Sequence, residues 1–358
     1  MNGYMFWAKS HPRAKYELTT SNCLPIGADV LGLRMEHMDL ENEGAYGHPS
    51  LIGAIARRYG CCESGVVPVP GASSGIFISV SSVAEPGDTI LVERPVYDPI
   101  ERVCSFLRLR RLPVRRAPAD SFGVDLSTIE AGLEAGARAV VLTNLHNPSG
   151  QHLSPDTVRE LAARCADRDA TLIVDEVYLD AAHLNKGHPR WTAATLAPNV
   201  IALNSLTKVY GLAGLRVGWM LSNDELADRA RTIMDLLSVM NAAPSTSISL
   251  RAFSVIDRLE DAFRRSYQQS QPVYREWLEG EPRVNGYTSH GALFECVKLP
   301  GGVAADRLCA VLHAEYDTNV TPGGFFGLPD HIRLSLSVGP DTLAEGLARL
   351  SKALRRLT

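Results

Sequence analysis

The sequence predicts an α/β fold, with a mostly parallel central sheet covered by helices on both faces and a smaller α+β domain at the C-terminal end. Three observations carry that expectation. Six short apolar runs without polar alternation suit strands buried on both faces: VVPV (66–69), TILV (89–92), AVVL (139–142), TLIV (171–174), VIAL (200–203) and GWML (218–221). Helical patterns lie between several of them, as in an α/β domain. After Asp224 the pattern changes to long helical stretches and then to further strand-like runs.

In chain order, residues 1–40 read as an N-terminal segment packing on the smaller domain, 41–250 as the large domain and 251–358 as the small one. The start, MNGYMFWAKSHPR, has a short apolar patch but neither the long apolar region nor the small-residue cleavage site of a secretory leader. RLRRLPVRR (108–116) alternates cationic and apolar residues and reads as a solvated edge strand. SPDTVRELAARCADRD (154–169) begins with a serine cap and repeats apolar residues at helical spacing, at Val158, Leu161, Ala162 and Cys165. LADRARTIMDLLSVM and VIDRLEDAFRRSYQQSQPVYREWLEG supply the long helices. ALFECVKL (292–299) and HIRLSLSV (331–338) read as strands, and TLAEGLARLSKALRRL (342–357) as a closing helix.

Apolar residues at 45% and charged residues at 21% exclude a disordered chain or a fibre. A net charge of −4 argues against a nucleic-acid partner, which needs a basic surface. The seven cysteines are odd in number, and adjacent Cys61 and Cys62 match neither a disulfide framework nor a metal-ligand spacing. No metal and a reducing, cytoplasmic location are expected. No run reaches the roughly 18 apolar residues of a membrane span.

In an open parallel sheet, ligands bind beyond the carboxyl ends of the strands. Here VVPV runs into PGASSG, TILV into ERPVYD, AVVL into TNLHNPSG, TLIV into DEVY and VIAL into NSLTK. Five strand ends thus deliver a glycine/serine turn, an aromatic ring, an asparagine, an acid with a tyrosine, and a lysine. Pyridoxal phosphate needs that inventory: an amine for a Schiff base, a carboxylate for its pyridine nitrogen, donors to its phenolic oxygen, a stacking ring and a phosphate cradle. GASSG (71–75) opens a helix whose first N–H groups, near Ala72, Ser73 and Ser74, can face an anion.

The motifs HNPSG (146–150), VDEVY (174–178) and NSLTKVYGLAGLRVGW (204–219) resemble those of fold-type I pyridoxal phosphate enzymes of the class I/II aminotransferase superfamily. The resemblance runs from about residue 40 to the end of the chain and implies the fold-type I large domain. It implies Lys208 as the Schiff-base lysine and as the general base and acid at the substrate Cα. Asp175 would partner the pyridine nitrogen, Tyr178 and Asn147 would donate to the phenolic oxygen, and Tyr97 would stack on the ring. Ser205 and Arg216, three residues before Lys208 and eight after it, would join the GASSG helix start on the phosphate. Arg333, inside the apolar HIRLSLS, would bind the substrate α-carboxylate near Asn147, because a buried guanidinium needs an anion.

The resemblance thins toward the N-terminus, where this chain is short for the extra arm and substrate-gating helix that relatives often carry. Ser21 and Asn22 replace a glycine-containing turn, and either touch substrate or only turn the chain. In the family a tyrosine of the neighbouring subunit reaches the phosphate; Tyr46, immediately before Gly47, is the candidate, and a homodimer with shared active sites follows. The activity implied is transfer of an amino group between an L-amino acid and a 2-oxo acid. No second arginine stands out for an acidic side chain, so a neutral or unusual side chain is expected. The same cofactor and residues also serve lyases and cyclases that eliminate, replace or close rings. A DNA-binding regulator would need an additional basic helix-turn-helix region before the catalytic fold.

Overall fold

The computed structural model describes residues 3–41 and 43–358. Among them the strands are β1 (Tyr16–Leu18), β2 (Val66–Val69), β3 (Thr89–Arg94), β4 (Arg110–Arg115), β5 (Ala137–Thr143), β6 (Thr171–Asp175), β7 (Val200–Ser205), β8 (Gly218–Leu221), β9 (Asn285–Tyr287), β10 (Phe294–Lys298), β11 (Thr318–Pro322) and β12 (His331–Ser335). The helices are α1 (Tyr4–Ser10), α2 (Ala28–Leu31), α3 (Pro49–Tyr59), α4 (Ala72–Val83), α5 (Asp98–Phe106), α6 (Leu126–Glu134), α7 (Pro155–Ala166), α8 (Leu179–Lys186), α9 (Asp224–Leu237), α10 (Ala243–Ser254), α11 (Ile256–Gly280), α12 (Ala305–Tyr316) and α13 (Pro340–Leu357).

Seven strands form one sheet in the order β2-β8-β7-β6-β5-β3-β4. Strand β8 runs antiparallel to both of its neighbours, and the other strands share one direction. The absence of alternation in the apolar runs has a direct cause. On β5, Ala139 and Val141 pack with Ile90, Ile173 and Ile201 on one face, whereas Val140 and Leu142 pack with Leu91, Leu172 and Val174 on the other. Helices α4, α5 and α9 cover the first face through Ile76, Ile100 and Ala230. Helices α3, α6 and α7 cover the second through Ile55, Ile129 and Leu161. The start of α7 is capped as its serine implies, with Ser154 Oγ accepting from the Thr157 N–H at 3.1 Å.

The second sheet, β1-β11-β12-β10-β9, is antiparallel except where β1 lies parallel to β11. Residues near the start of the chain therefore join strands more than 290 positions later. Strand β4 is the exposed edge expected of RLRRLPVRR over Arg110–Pro113. Arg116 departs from that expectation: it is 1% exposed and ion-paired at 2.7 Å with Glu93, itself fully buried. Among the described residues no helix is long and apolar enough to cross a membrane.

Candidate active site

A cavity of about 590 Å³ opens at the carboxyl ends of β2, β3, β6 and β7, closed on another side by α1 and the residues after β1. Ala72, Ser73, Tyr97, Asp175, Ser205, Lys208 and Arg216 all line it, together with Asn22. Asn147, Tyr178, Ser21 and Arg333 stand immediately behind them through the hydrogen bonds described below.

Lys208 follows β7. Its Nζ donates to Asn22 Oδ1 at 2.8 Å and to Ser21 Oγ at 3.3 Å, so the segment after β1 holds the amine. Burial pushes its pKa down to about 8; the Arg333 and Arg216 guanidiniums act in the same direction, against Tyr4 and Asp175. Tyr178, whose ring centroid is 5.6 Å from the Lys208 amine, donates its hydroxyl to Ser21 Oγ at 2.9 Å.

Asp175 ends β6 and is 4% exposed. Its Oδ1 accepts a hydrogen bond from the Val177 N–H at 3.2 Å, and none of the described cations lies within ion-pair distance. Burial therefore raises its pKa to about 7, against the Val177 N–H and Lys208 and with a small push from Glu93. A buried carboxylate this poorly compensated suits a cationic partner from outside the chain.

Gly71 precedes α4 at φ 80°, a left-handed conformation that glycine adopts without strain. A Cβ there would lie 2.4 Å from Arg216 Nη2, and one on Gly218 would lie 2.9 Å from the Ala72 nitrogen. These glycines let a guanidinium and the start of a helix converge. Ala72 and Ser73 hold the first two helix positions, whose N–H groups have no intrahelical acceptor. Ser74 does not join them: its N–H donates to Gly71 O at 3.1 Å and its hydroxyl to Pro70 O at 3.1 Å. The expectation that Ser74 faces an anion is corrected, because the first turn of the helix already consumes its donors. Ser205 Oγ lines the same corner, and Arg216 has no carboxylate partner among the described residues.

Arg333 sits on β12 at 1% exposure. Its Nη1 donates to Asn147 Oδ1 at 2.9 Å, and its Nη2 to Tyr4 OH at 2.7 Å and Thr19 O at 3.2 Å. The Tyr4, Phe294 and Phe326 rings surround the guanidinium with centroids at 5.0–5.5 Å. Asn147 is held in turn by its N–H on Thr143 Oγ1 at 3.1 Å, and Thr143 donates its own N–H and hydroxyl to the buried Glu93.

Behind the Lys208 loop, Asn204 and Tyr210 both donate to Asp180 Oδ2, at 3.1 and 2.7 Å. Burial pushes the Asp180 pKa up, but the His183, Arg190 and Arg58 groups outweigh it and hold the carboxyl well below its usual range. That anchored pair clamps the loop at both ends.

Sequence reasoning missed α1. Rather than being absent, an N-terminal helix spans Tyr4–Ser10, puts Met5 and Lys9 on the cavity wall and Tyr4 on Arg333, and ties its first N–H to Asp98 at 3.0 Å. The aromatic patch YMFW was the available signal. Tyr46 lies on the surface, with its hydroxyl donating to Asp235 at 3.1 Å.

The pieces suit pyridoxal phosphate: an amine of lowered pKa, a buried carboxylate needing a cation, and a glycine-lined anion corner in one cleft. Independent likeness agrees with that chemistry. The chain is 28% identical over 295 residues to the arginine–pyruvate transaminase AruH of Pseudomonas aeruginosa, covering 80% of this chain and 74% of that one. It is 28% identical over 340 residues to the capreomycidine synthase of Streptomyces vinaceus, covering 91% and 84%. The crystal structure of a PLP-dependent aminotransferase from Streptococcus suis superposes with a TM-score of 0.90 at 20% identity, over 99% of this chain and 97% of that one. The family model of aminotransferase class I and II matches residues 36–350. The chain belongs to that family, the class I and II aminotransferases, whose cofactor is pyridoxal phosphate.

Proposed function

We propose that this enzyme moves an amino group between an L-amino acid and a 2-oxo acid, with Lys208 carrying the cofactor covalently. The observation that supports it most is the convergence on one cleft of the Lys208 amine, the poorly compensated Asp175 carboxylate and the Arg216 guanidinium, with Arg333 directly behind its wall, neither arginine having an acidic partner among the described residues. Pyridoxal phosphate supplies, when bound, an electron sink next to the substrate Cα.

In this reading Lys208 removes the proton from Cα and returns it during transfer; its amine is neutral above about pH 8. Asp175 holds the proton on the ring nitrogen. Tyr178 and Asn147 donate to the phenolic oxygen, and the Arg333 bond to Asn147 Oδ1 leaves the Asn147 Nδ2 donors for that task. Arg216, Ser205 and the N–H groups of Ala72 and Ser73, which line one corner of the cavity, would hold the phosphate, and Tyr97 would stack on the ring. Arg333 binds the substrate α-carboxylate and so fixes the direction of the Cα–H bond. Ser21 and Asn22 orient the amine of Lys208 through their hydrogen bonds to it.

The same proposal divides the chain at residues 40 and 250: the central part carries the cofactor corner, and the segments on either side carry the five-stranded sheet and Arg333. It also makes the enzyme a cytoplasmic homodimer. All seven cysteines are free, which suits a reducing compartment. Met35, Leu40, Leu236, Leu237 and Val239 are more than half exposed, and Leu236 and Leu237 directly follow Asp235, which accepts from the Tyr46 hydroxyl; a second copy would cover such apolar surface.

A cyclase or lyase is the second reading: the same cofactor and site residues can serve ring closure or elimination, and the chain is as similar to a relative named as a synthase as to one named as a transaminase. Incubation of the holoenzyme with single amino acids, without any oxo acid, separates the two. Release of one 2-oxo acid per site without free ammonia supports amino transfer and identifies the donor. Ammonia, a lost side-chain group or a cyclised product overturns it, and Lys208→Ala should do neither.

A further inference from the structure

We infer that Tyr4 is a second ligand of the substrate α-carboxylate, so that α1 forms part of the substrate site; this rests on the reading of Arg333 given above. A guanidinium offers two edges to a carboxylate, one through Nη1 and Nη2 and one through Nε and Nη2, and both include Nη2. Nη2 is the nitrogen that donates to Tyr4 OH at 2.7 Å. A carboxylate bound on either edge thus brings one oxygen beside the phenol oxygen.

The Tyr4 hydroxyl accepts in that bond, and its own proton has no acceptor among the described residues. The Arg333 Nε is likewise buried without a partner. Proton and N–H groups together form an incomplete anion site, and a carboxylate oxygen completes it. The phenol is also fixed. Tyr4 is 7% exposed, its N–H is held by Asp98, and its ring packs at 5.6–6.0 Å on Tyr97, Phe325 and Phe326. Removing the hydroxyl leaves that packing intact, so Tyr4→Phe tests the hydrogen bond alone.

The probe is 3-phenylpropionate, a carboxylate without an amine, titrated calorimetrically into cofactor-free protein. Tyr4→Phe should weaken it about 10-fold, the loss expected for one hydrogen bond to a charged group. In the holoenzyme the same variant should raise KM for the amino acid about as much and leave kcat within about 2-fold. Asp98→Ala, which frees the start of α1 without touching the phenol, should shift the probe in the same direction. Binding by Tyr4→Phe and Asp98→Ala at parental strength overturns the inference. Arg333→Lys separates the two levels: if it binds the probe as the parent does, the reading of Arg333 fails; if it is weakened and Tyr4→Phe is not, only the role of Tyr4 fails.

Discussion

Replacing Asp175 by asparagine should stabilise the cofactor-free protein at alkaline pH while impairing the enzyme. The carboxyl is 4% exposed, receives one backbone N–H and has a pKa raised from 3.8 to about 7. The gap of about three pH units, at ~1.4 kcal/mol each, makes ionised Asp175 cost roughly 4 kcal/mol in the folded chain. The sign follows from the raised pKa. Below the unfolded value both states hold the proton, and the side chain costs nothing. Between the two values folding takes up a proton and stability is lost as pH rises, until the full cost is reached above about 7. Asparagine keeps an acceptor for Val177 and never ionises. Urea unfolding of cofactor-free parent and variant should therefore show a gap below about 2 kcal/mol near pH 5 and of ~2–4 kcal/mol near pH 8. The holoenzyme variant should turn over at least about a hundredfold more slowly, for want of a charge on the ring nitrogen. A parent as stable as the variant near pH 8, or a gap indifferent to pH, would refute the assignment of Asp175 as an uncompensated buried acid.

Arg116→Met leaves Glu93 buried without its cation, so it should lose roughly 3–5 kcal/mol in urea unfolding, with most of it recovered in the double variant with Glu93→Gln. Gly71→Ala forces a Cβ to 2.4 Å from Arg216 at φ 80°; equilibrium dialysis should find pyridoxal phosphate bound about 10-fold or more weakly, with little change in fold. For Lys208, whose pKa is lowered to about 8, recapture of pyridoxal phosphate by cofactor-free protein should accelerate with pH up to about 8 and then level, because the neutral amine is the nucleophile; a rate still climbing near pH 10 would contradict the shift.

The large sheet was legible because burial on both faces removes polar alternation, and each of the six apolar runs is a strand. The reversed direction of β8 was not, since GWML carries no mark of the strand it pairs with. The candidate site was legible as a set of strand ends, with Lys208, Asp175, Tyr97 and Arg216 meeting in one cavity. What sequence could not supply was the company those residues keep. Ser21 and Asn22 lie more than 180 positions from Lys208, and no local rule links them. Arg116 stood in a cationic run that otherwise is solvent-exposed; its burial depends on Glu93, 23 positions earlier. Ser74 failed for the opposite reason: a helix start was foreseen, but only geometry shows which N–H groups its first turn leaves free.

The hydrogen bonds across the cleft imply that ligands exchange partners here rather than add them. Lys208 donates to Asn22 and Ser21, Tyr178 to Ser21, and Arg333 to Asn147 and Tyr4. Every one joins a group expected to serve cofactor or substrate to a residue that can hold it meanwhile. The acceptors in these bonds are neutral, and each bond contributes only about 1–3 kcal/mol, net of solvation. A phosphate or carboxylate that replaces one of these neutral acceptors sets an anion against the cationic donor, so the exchange is favourable for an anion. A neutral ligand of equal shape meets the opposite balance, displacing existing acceptors while leaving buried N–H groups unpaired. Discrimination then comes from the cost of mismatch rather than from the strength of the match, the regime in which polar sites reject analogues lacking a group most strongly. On this ground a decarboxylated amine should be excluded by the Arg333 end of the cleft even where its side chain fits.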